Sequence, residues 1–361
     1  MQATVTHGNR GALLSTTPNP ARDYDEALTR FAVMQAQDGP EVNPVCRSTL
    51  LTHDERTEQA IVLVHDITNC PRQFVELAPL FFERGYNVLV PRIPWNGFAD
   101  QSGVAMEHLT AEELRAFGDE IVDIARGLGE RVTVLGLSGG GVVTVWIAQA
   151  RGDVEKAVVI APSIGIVANV PLGDTGATAT NRLATWLMGV LPNLMTQTFR
   201  PMKGGPPHNY QGFATRGLGQ TTELGLAVYD AAKKQPPAAR TIAMITNDRD
   251  IAVIDPPHGK SRAIPGLLTA DQTCQKDAVT GLHEHWWLDC HHRSTGVDFR
   301  RPCGIGAVYH TASKLRHASP ALKGGSSGGE DNARSLATAY PLYAAKATQR
   351  SVWQRTLRRA L

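Results

Sequence analysis

Val132–Ala148 reads VTVLGLSGGGVVTVWIA. A β-forming run leads into Gly136-Leu137-Ser138-Gly139-Gly140, and an apolar run continues to Ala148. The pentapeptide satisfies G-x-S-x-G, and its surroundings predict a strand over 131–136 and a helix over 139–149. A serine hydroxyl is a poor nucleophile unless it projects to where a base can reach it. A sharp strand-to-helix turn does that, and it forces Ser138 into a strained backbone. Glycines at 136 and 140 leave room for the chain to pass close by. The Gly139 N–H then sits at a helix N-terminus and faces an oxygen that gains negative charge during attack.

The chain on either side alternates in the same way. Ala60–Val64 is a short run rich in branched residues, as in a strand buried on both faces. Pro71, Phe74, Leu77 and Phe81 predict one helix stopped near Gly85. Tyr86–Val90 reads as a strand. Thr110 with Glu113 forms a capping-box pattern before a helix whose buried face is Leu114, Phe117, Ile121, Ile124 and Leu128. Ala157–Ile160 and Thr241–Ile245 are further strands. Alternation of this kind predicts an α/β fold, a doubly wound and mostly parallel sheet with helices on both faces. Residues 1–44 read as a polar lead-in with a short helix near Tyr24–Gln37. Residues 45–170 and 226–300 read as the core. Residues 171–225, rich in Gly, Pro, Thr and Asn, with an apolar patch at Leu183–Leu194, read as a lid inserted between two sheet strands.

Just after the first core strand stands Val64-His65-Asp66-Ile67-Thr68-Asn69-Cys70-Pro71, and Pro91-Arg92-Ile93-Pro94 follows the next one. With these motifs the chain resembles the α/β-hydrolase superfamily over roughly residues 45–255, in particular its bacterial carboxylesterase and monoglyceride-lipase-like members. The corresponding family turn is usually His-Gly-aromatic-Thr. The resemblance implies that the Ile67 N–H is a second oxyanion donor beside Gly139. Asp66 departs from the pattern, and a carboxylate there repels an oxyanion unless it points away or is paired. His65 reads as a structural residue whose ring holds the turn.

The resemblance further implies an acid at the end of a later strand and a base last in the chain. The family pattern of an Asp followed shortly by an apolar residue is met by Asp250 with Val253, and Asp248 is the alternative. For the base, His258, His283, His285, His291, His292, His310 and His317 are available. The segment GLHEHWWLDCHH favours His285, then His283. His283, His285, Asp289, Cys290, His291 and His292 are all metal-competent, but H-x-H-x4-C-H-H follows no ligand spacing with a mechanical rationale, and no metal or cofactor is expected.

The expected activity is that of a serine hydrolase of carboxylic esters, with a small apolar ester or acyl substrate suggested by Trp186, Leu187 and Leu191 in the lid. A serine aminopeptidase-like hydrolase is an alternative. So is a non-catalytic member of the fold that lacks a working histidine.

Composition bounds the rest. Apolar residues make up 42% of the 361 and charged ones 19%, with a net charge of +2, which argues against a nucleic-acid partner. No apolar run reaches about 18 residues, so no membrane span is expected. The first 30 residues lack the features of a signal peptide, and five cysteines fit a reduced, cytoplasmic chain. Nothing in the sequence bears on oligomeric state. The even charge hides a split. Residues 1–255 carry 21 basic and 27 acidic side chains, whereas residues 256–361 carry 15 and 7, with seven of the twelve histidines. Hydrophobic periodicity also fails there: 256–332 offers no clear strand or capped helix. A shifted reading frame or a replaced end from about residue 256 accounts for all three changes. Residues 301–361 read as an atypical basic tail containing a flexible linker at 323–332.

Overall fold

The computed structural model describes residues 10–165, 173–191, 193, 195–197, 208–210, 212–247, 272–280 and 284–292. In chain order these form α1 (Tyr24–Ala36), β1 (Thr49–Leu51), β2 (Thr57–Val64), α2 (Ala78–Phe82), β3 (Tyr86–Val90), α3 (Ala111–Leu128), β4 (Gly129–Leu137) and α4 (Gly139–Ala150). There follow β5 (Lys156–Ile160), α5 (Gly173–Val190), β6 (Met195–Gln197), β7 (Gly212–Ala214), α6 (Thr215–Ala232), β8 (Thr241–Asn247), β9 (Gln272–Thr280) and β10 (Glu284–His292).

Eight strands join in the order β1-β3-β2-β4-β5-β8-β10-β9. The inner five run parallel. β1 at one edge, and β10 with β9 at the other, are antiparallel. Branched strand residues alternate between two buried faces. Val62, Val64, Val132, Val134 and Val159 pack with Leu114, Ile121 and Trp146 on one side. Ile61, Leu63, Val88, Val90 and Val158 pack with Phe74 and Phe81 on the other. Burial on both faces is what an unbroken apolar strand requires. The α3 capping box is present: Thr110 Oγ1 accepts from Glu113 N at 3.1 Å, and Glu113 Oε2 accepts from Thr110 N at 2.9 Å.

Several expectations are corrected. The single helix expected from Pro71 to Phe81 is instead a 3-10 turn, Pro71–Phe74, followed by the short α2. Pro79 has no N–H to give to the preceding turn, so a continuous helix is broken there. The lead-in is not merely polar. Leu13, Ala21, Ala27 and Met34 belong to the main core, and Leu13 O accepts the indole N–H of Trp146 at 2.7 Å. Two carboxylates of α3 hold it further: Asp119 accepts from the Thr16 hydroxyl, and Asp123 accepts from the Asn19 N–H at 3.0 Å. Both carboxylates are also ion-paired to the fully buried Arg151. α6 runs across the lid boundary drawn at residue 225, with Leu224, Ala227 and Val228 in the main core.

Strands were not expected after residue 256, yet β9 and β10 form a ladder of nine residue pairs. β10 alternates Trp286, Leu288 and Cys290 with His285, Trp287, Asp289 and His291. That is the period-two signature of an antiparallel strand, not the branched run sought in the sequence. The expectation of reduced thiols also fails for one pair: Cys46 and Cys70, both buried, form a disulfide with Cα atoms 5.2 Å apart.

Candidate active site

β2, β3, β4 and β5 end side by side, and the turns that follow them make up the site. Ser138, directly after β4, has φ 55° and ψ −113°. This is a costly conformation for a residue with a Cβ. It is held from three directions. Ser138 N donates to Ile160 O at 2.9 Å, and Ser138 O accepts from Val142 N at 3.1 Å and Ser163 N at 3.3 Å. The glycines of the motif are sterically required. A Cβ on Gly140 would lie 2.3 Å from the carbonyl oxygens of Val64 and His65, and one on Gly136 would lie 2.2 Å from Gly140 O. Two more non-glycine residues with positive φ lie at the same edge, Trp95 after β3 and Ala161 after β5. Strain of this kind concentrates where surrounding structure over-determines the backbone.

The loop after β2 lies against Ser138. His65 Nε2 accepts the Ile93 N–H at 3.0 Å, so the proton sits on Nδ1, which donates to Asp66 O at 2.7 Å. Burial holds its pKa down to about 4, and the ring stays neutral. His65 thus acts as the structural pin that the sequence suggested. Ile67 is buried, its carbonyl accepts from Asn96 Nδ2 at 3.0 Å, and its side chain covers Gly139 so closely that a Cβ there would be 2.5 Å from Ile67 Cγ2. The structure therefore brings Ser138, Gly139 and Ile67 together. It adds Asp66, whose carboxylate accepts the Gly139 N–H at 3.2 Å.

The Ser138 hydroxyl has no hydrogen-bond partner among the described residues. Asp250, Asp248 and His283 lie outside the described residues. His285 is at the start of β10, opposite Asn247 at the end of β8. That places it on the same edge of the sheet as Ser138, three strands over and about 14 Å away by the usual strand spacing. His291 pairs with Thr241 at the opposite edge. Six residues of extended chain, about 20 Å, separate His285 from His291, too far for one metal ion. Asn96 and Gln73, which brace the loop, were not singled out by the sequence. No spacing rule marks them, because each reaches its partner through a loop.

Residues 61–301 match the model of the Alpha/beta hydrolase family. The chain belongs to that family. The α/β-hydrolase match extends past residue 256, where composition changes. Over 139 residues this chain is 28% identical to the thermostable monoacylglycerol lipase of Bacillus sp. (strain H-257), covering 37% of this chain and 52% of the lipase. The chain thus spans about half the length of that curated relative. Among solved structures it is similar to one from a study of two metagenome-derived lipolytic enzymes, LipS and LipT, with TM-score 0.42 and 21% identity over 60% of this chain and 81% of that one. It is also similar to the monoacylglycerol lipase of Paleococcus ferrophilus, with TM-score 0.42 and 19% identity over 57% and 79%. No helix among the described residues is long and apolar enough to cross a membrane.

Proposed function

We propose that this α/β hydrolase cleaves carboxylic esters through an acyl-enzyme on Ser138. The observation that carries the reading is the strained Ser138 at the mouth of a strand-to-helix turn, with the Ile67 side chain packed against Gly139 beside it. In the proposed sequence Ser138 Oγ attacks the acyl carbon while His285, or His283, takes its proton. For His285 this requires the start of β10 to close on Ser138, because about 14 Å exceeds the combined reach of an imidazole and a hydroxyl. Asp250 orients that imidazole and stabilises its charged form. The N–H groups of Ile67 and Gly139 hold the tetrahedral oxyanion. The protonated imidazole returns its proton to the leaving alcohol, and water, activated by the same base, releases the acid. No step calls for a metal or a cofactor.

An apolar acyl group is the proposed substrate feature. α5 exposes Leu183, Trp186 and Val190 on one stripe, with Leu191 just beyond. α5 reaches the site edge: a Cβ on Gly165, just after the β5 turn, would lie 3.0 Å from the Asn181 side chain. The lipase named above, identical at 28% of the matched positions, supports the same substrate class.

A second reading, a binding protein that does not cleave, draws on the Gly139 N–H already being engaged by Asp66. Hydrolysis of p-nitrophenyl esters of graded chain length separates the two. The ester hydrolase turns over short and medium acyl chains, and Ser138→Ala abolishes this. Turnover that survives Ser138→Ala, or none at all, rules the proposal out.

A further inference from the structure

An oxyanion hole works because its donors wait, unsatisfied, for charge to develop. The Ile67 N–H meets that condition, with no acceptor among the described residues. The Gly139 N–H does not, because Asp66 Oδ1 already accepts it at 3.2 Å. We propose that the Asp66 side chain is a carboxylate plug in the oxyanion hole of Ser138, which throttles this hydrolase until it swings out. The inference rests on the reading of Ser138 and Gly139 as nucleophile and donor.

Three features carry it. First, the contact lies at the N-terminus of α4, a twelve-residue helix whose free N–H groups favour an anion. Asp66 Oδ1 takes up the position that the substrate oxyanion needs. A second negative charge cannot enter beside it without strong repulsion.

Second, the plug is separable from the loop that bears it. The Asp66 backbone has its own supports: its N–H donates to Gln73 Oε1 at 2.9 Å, and its carbonyl accepts from Asn69 N at 2.9 Å and from the His65 ring. A residue without a side chain at 66 keeps all three.

Third, the carboxylate is held in the plugging position. Its other oxygen accepts from Thr68 N at 3.2 Å and from the Thr68 hydroxyl. The two oxygens turn together, so opening the hole loosens Thr68 as well as Gly139, and the closed state is the one in which the carboxylate has all of these partners. The glycine usual at this position in the resembling family has no such side chain, so the throttle belongs to this chain's own sequence.

The test compares wild type, Asp66→Gly, Asp66→Asn and Ser138→Ala, plus Asp66→Gly combined with Ser138→Ala, on p-nitrophenyl butyrate, with a thermal melt of each. Loss of one oxyanion donor costs about 10²–10³-fold in kcat, so freeing one returns a gain of about 10-fold or more in Asp66→Gly. The gain appears mainly in kcat rather than KM, and it vanishes in the double variant. Asp66→Asn, which keeps the shape and removes the charge, gives a smaller gain and stands in should Asp66→Gly fail to fold. A purely structural Asp66 predicts the reverse, with both variants slower and less stable. Wild-type hydrolysis that depends on Ser138, with no gain in either Asp66 variant, overturns the plug alone. Absence of Ser138-dependent hydrolysis in every variant overturns the nucleophile reading and the plug with it.

Discussion

In residues 57–163 four parallel strands end side by side, and the turns that follow them are pinned to one another and to the neighbouring strand end: His65 to Ile93, Ser138 to Ile160, Asn96 to Ile67. In residues 241–292 the sheet changes direction, and β8, β10 and β9 pair antiparallel. The formal charge changes sign as well, from −6 over residues 1–255 to +8 beyond. The first region sets positions through local backbone geometry, so a five-residue motif is enough to announce it. The second sets positions through strand register, which no short motif encodes. A nucleophile and its oxyanion donors belong to the first kind of information; an acid and a base belong to the second.

The largest expected effect tests whether the two regions share one site. Ser138→Ala and His285→Ala should each lower kcat/KM by about 10⁴-fold on a p-nitrophenyl ester. His291→Ala, at the far edge of the sheet, should leave it within about two-fold. If His285→Ala is silent and His283→Ala is not, the base moves two residues. If both are silent, the second region contributes no base. Translating the gene's other two frames beyond codon 255 sharpens the same comparison. A strand, a histidine loop and a closing helix in either frame would support a shifted end, and their absence from both would refute it.

The next effect concerns the first region alone. Arg151 is fully buried among Asp119, Asp123 and Asp153. Arg151→Ala leaves Asp123 and Asp153 without their cation and Asp119 with only Arg115 at 3.6 Å, and should cost about 3–5 kcal/mol in urea unfolding. A loss under about 1 kcal/mol would mean that the cluster is solvated.

The disulfide ties the loop after β2 to the turn before β1 across 24 residues. Replacing both Cys46 and Cys70 by serine should destabilise the chain by about 3 kcal/mol on loop-entropy grounds. Five reactive thiols in the denatured, unreduced protein would show that the pair is not bonded.

The smallest effect is a pH dependence. Burial lowers the His65 pKa from 6.5 to about 4, so between those values the unfolded chain binds a proton that the folded chain does not. The stabilisation is complete above pH 6.5 and is lost as pH falls toward 4, by at most about 3 kcal/mol. His65→Asn should flatten the stability profile in that window. An unchanged slope would show that other groups carry it.

Much of the first region was legible because its constraints are local. The apolar runs at 60–64 and 132–135 mark buried parallel strands, and Thr110 with Glu113 marks a helix start. G-x-S-x-G marks a turn whose glycines at 136 and 140 have no space for a Cβ. What was missed there depended on a single backbone or side-chain direction: Pro79 splitting a helix, Asp66 turning toward Gly139 rather than away, Cys46 meeting Cys70. In the second region the signal is the alternation of Trp286, Leu288 and Cys290 with their neighbours, which carries no branched run and so does not stand out as a buried strand. Asp250 and His283 lie outside the described residues, so the proposed acid and one proposed base rest on sequence alone.

The most direct test of the central claim is the site of covalent capture. Exhaustive incubation with a fluorophosphonate, followed by proteolysis and mass spectrometry, should place the adduct on Ser138, with none in Ser138→Ala and faster capture in Asp66→Gly. An adduct on a different residue, or none in either the wild type or Asp66→Gly, would contradict it.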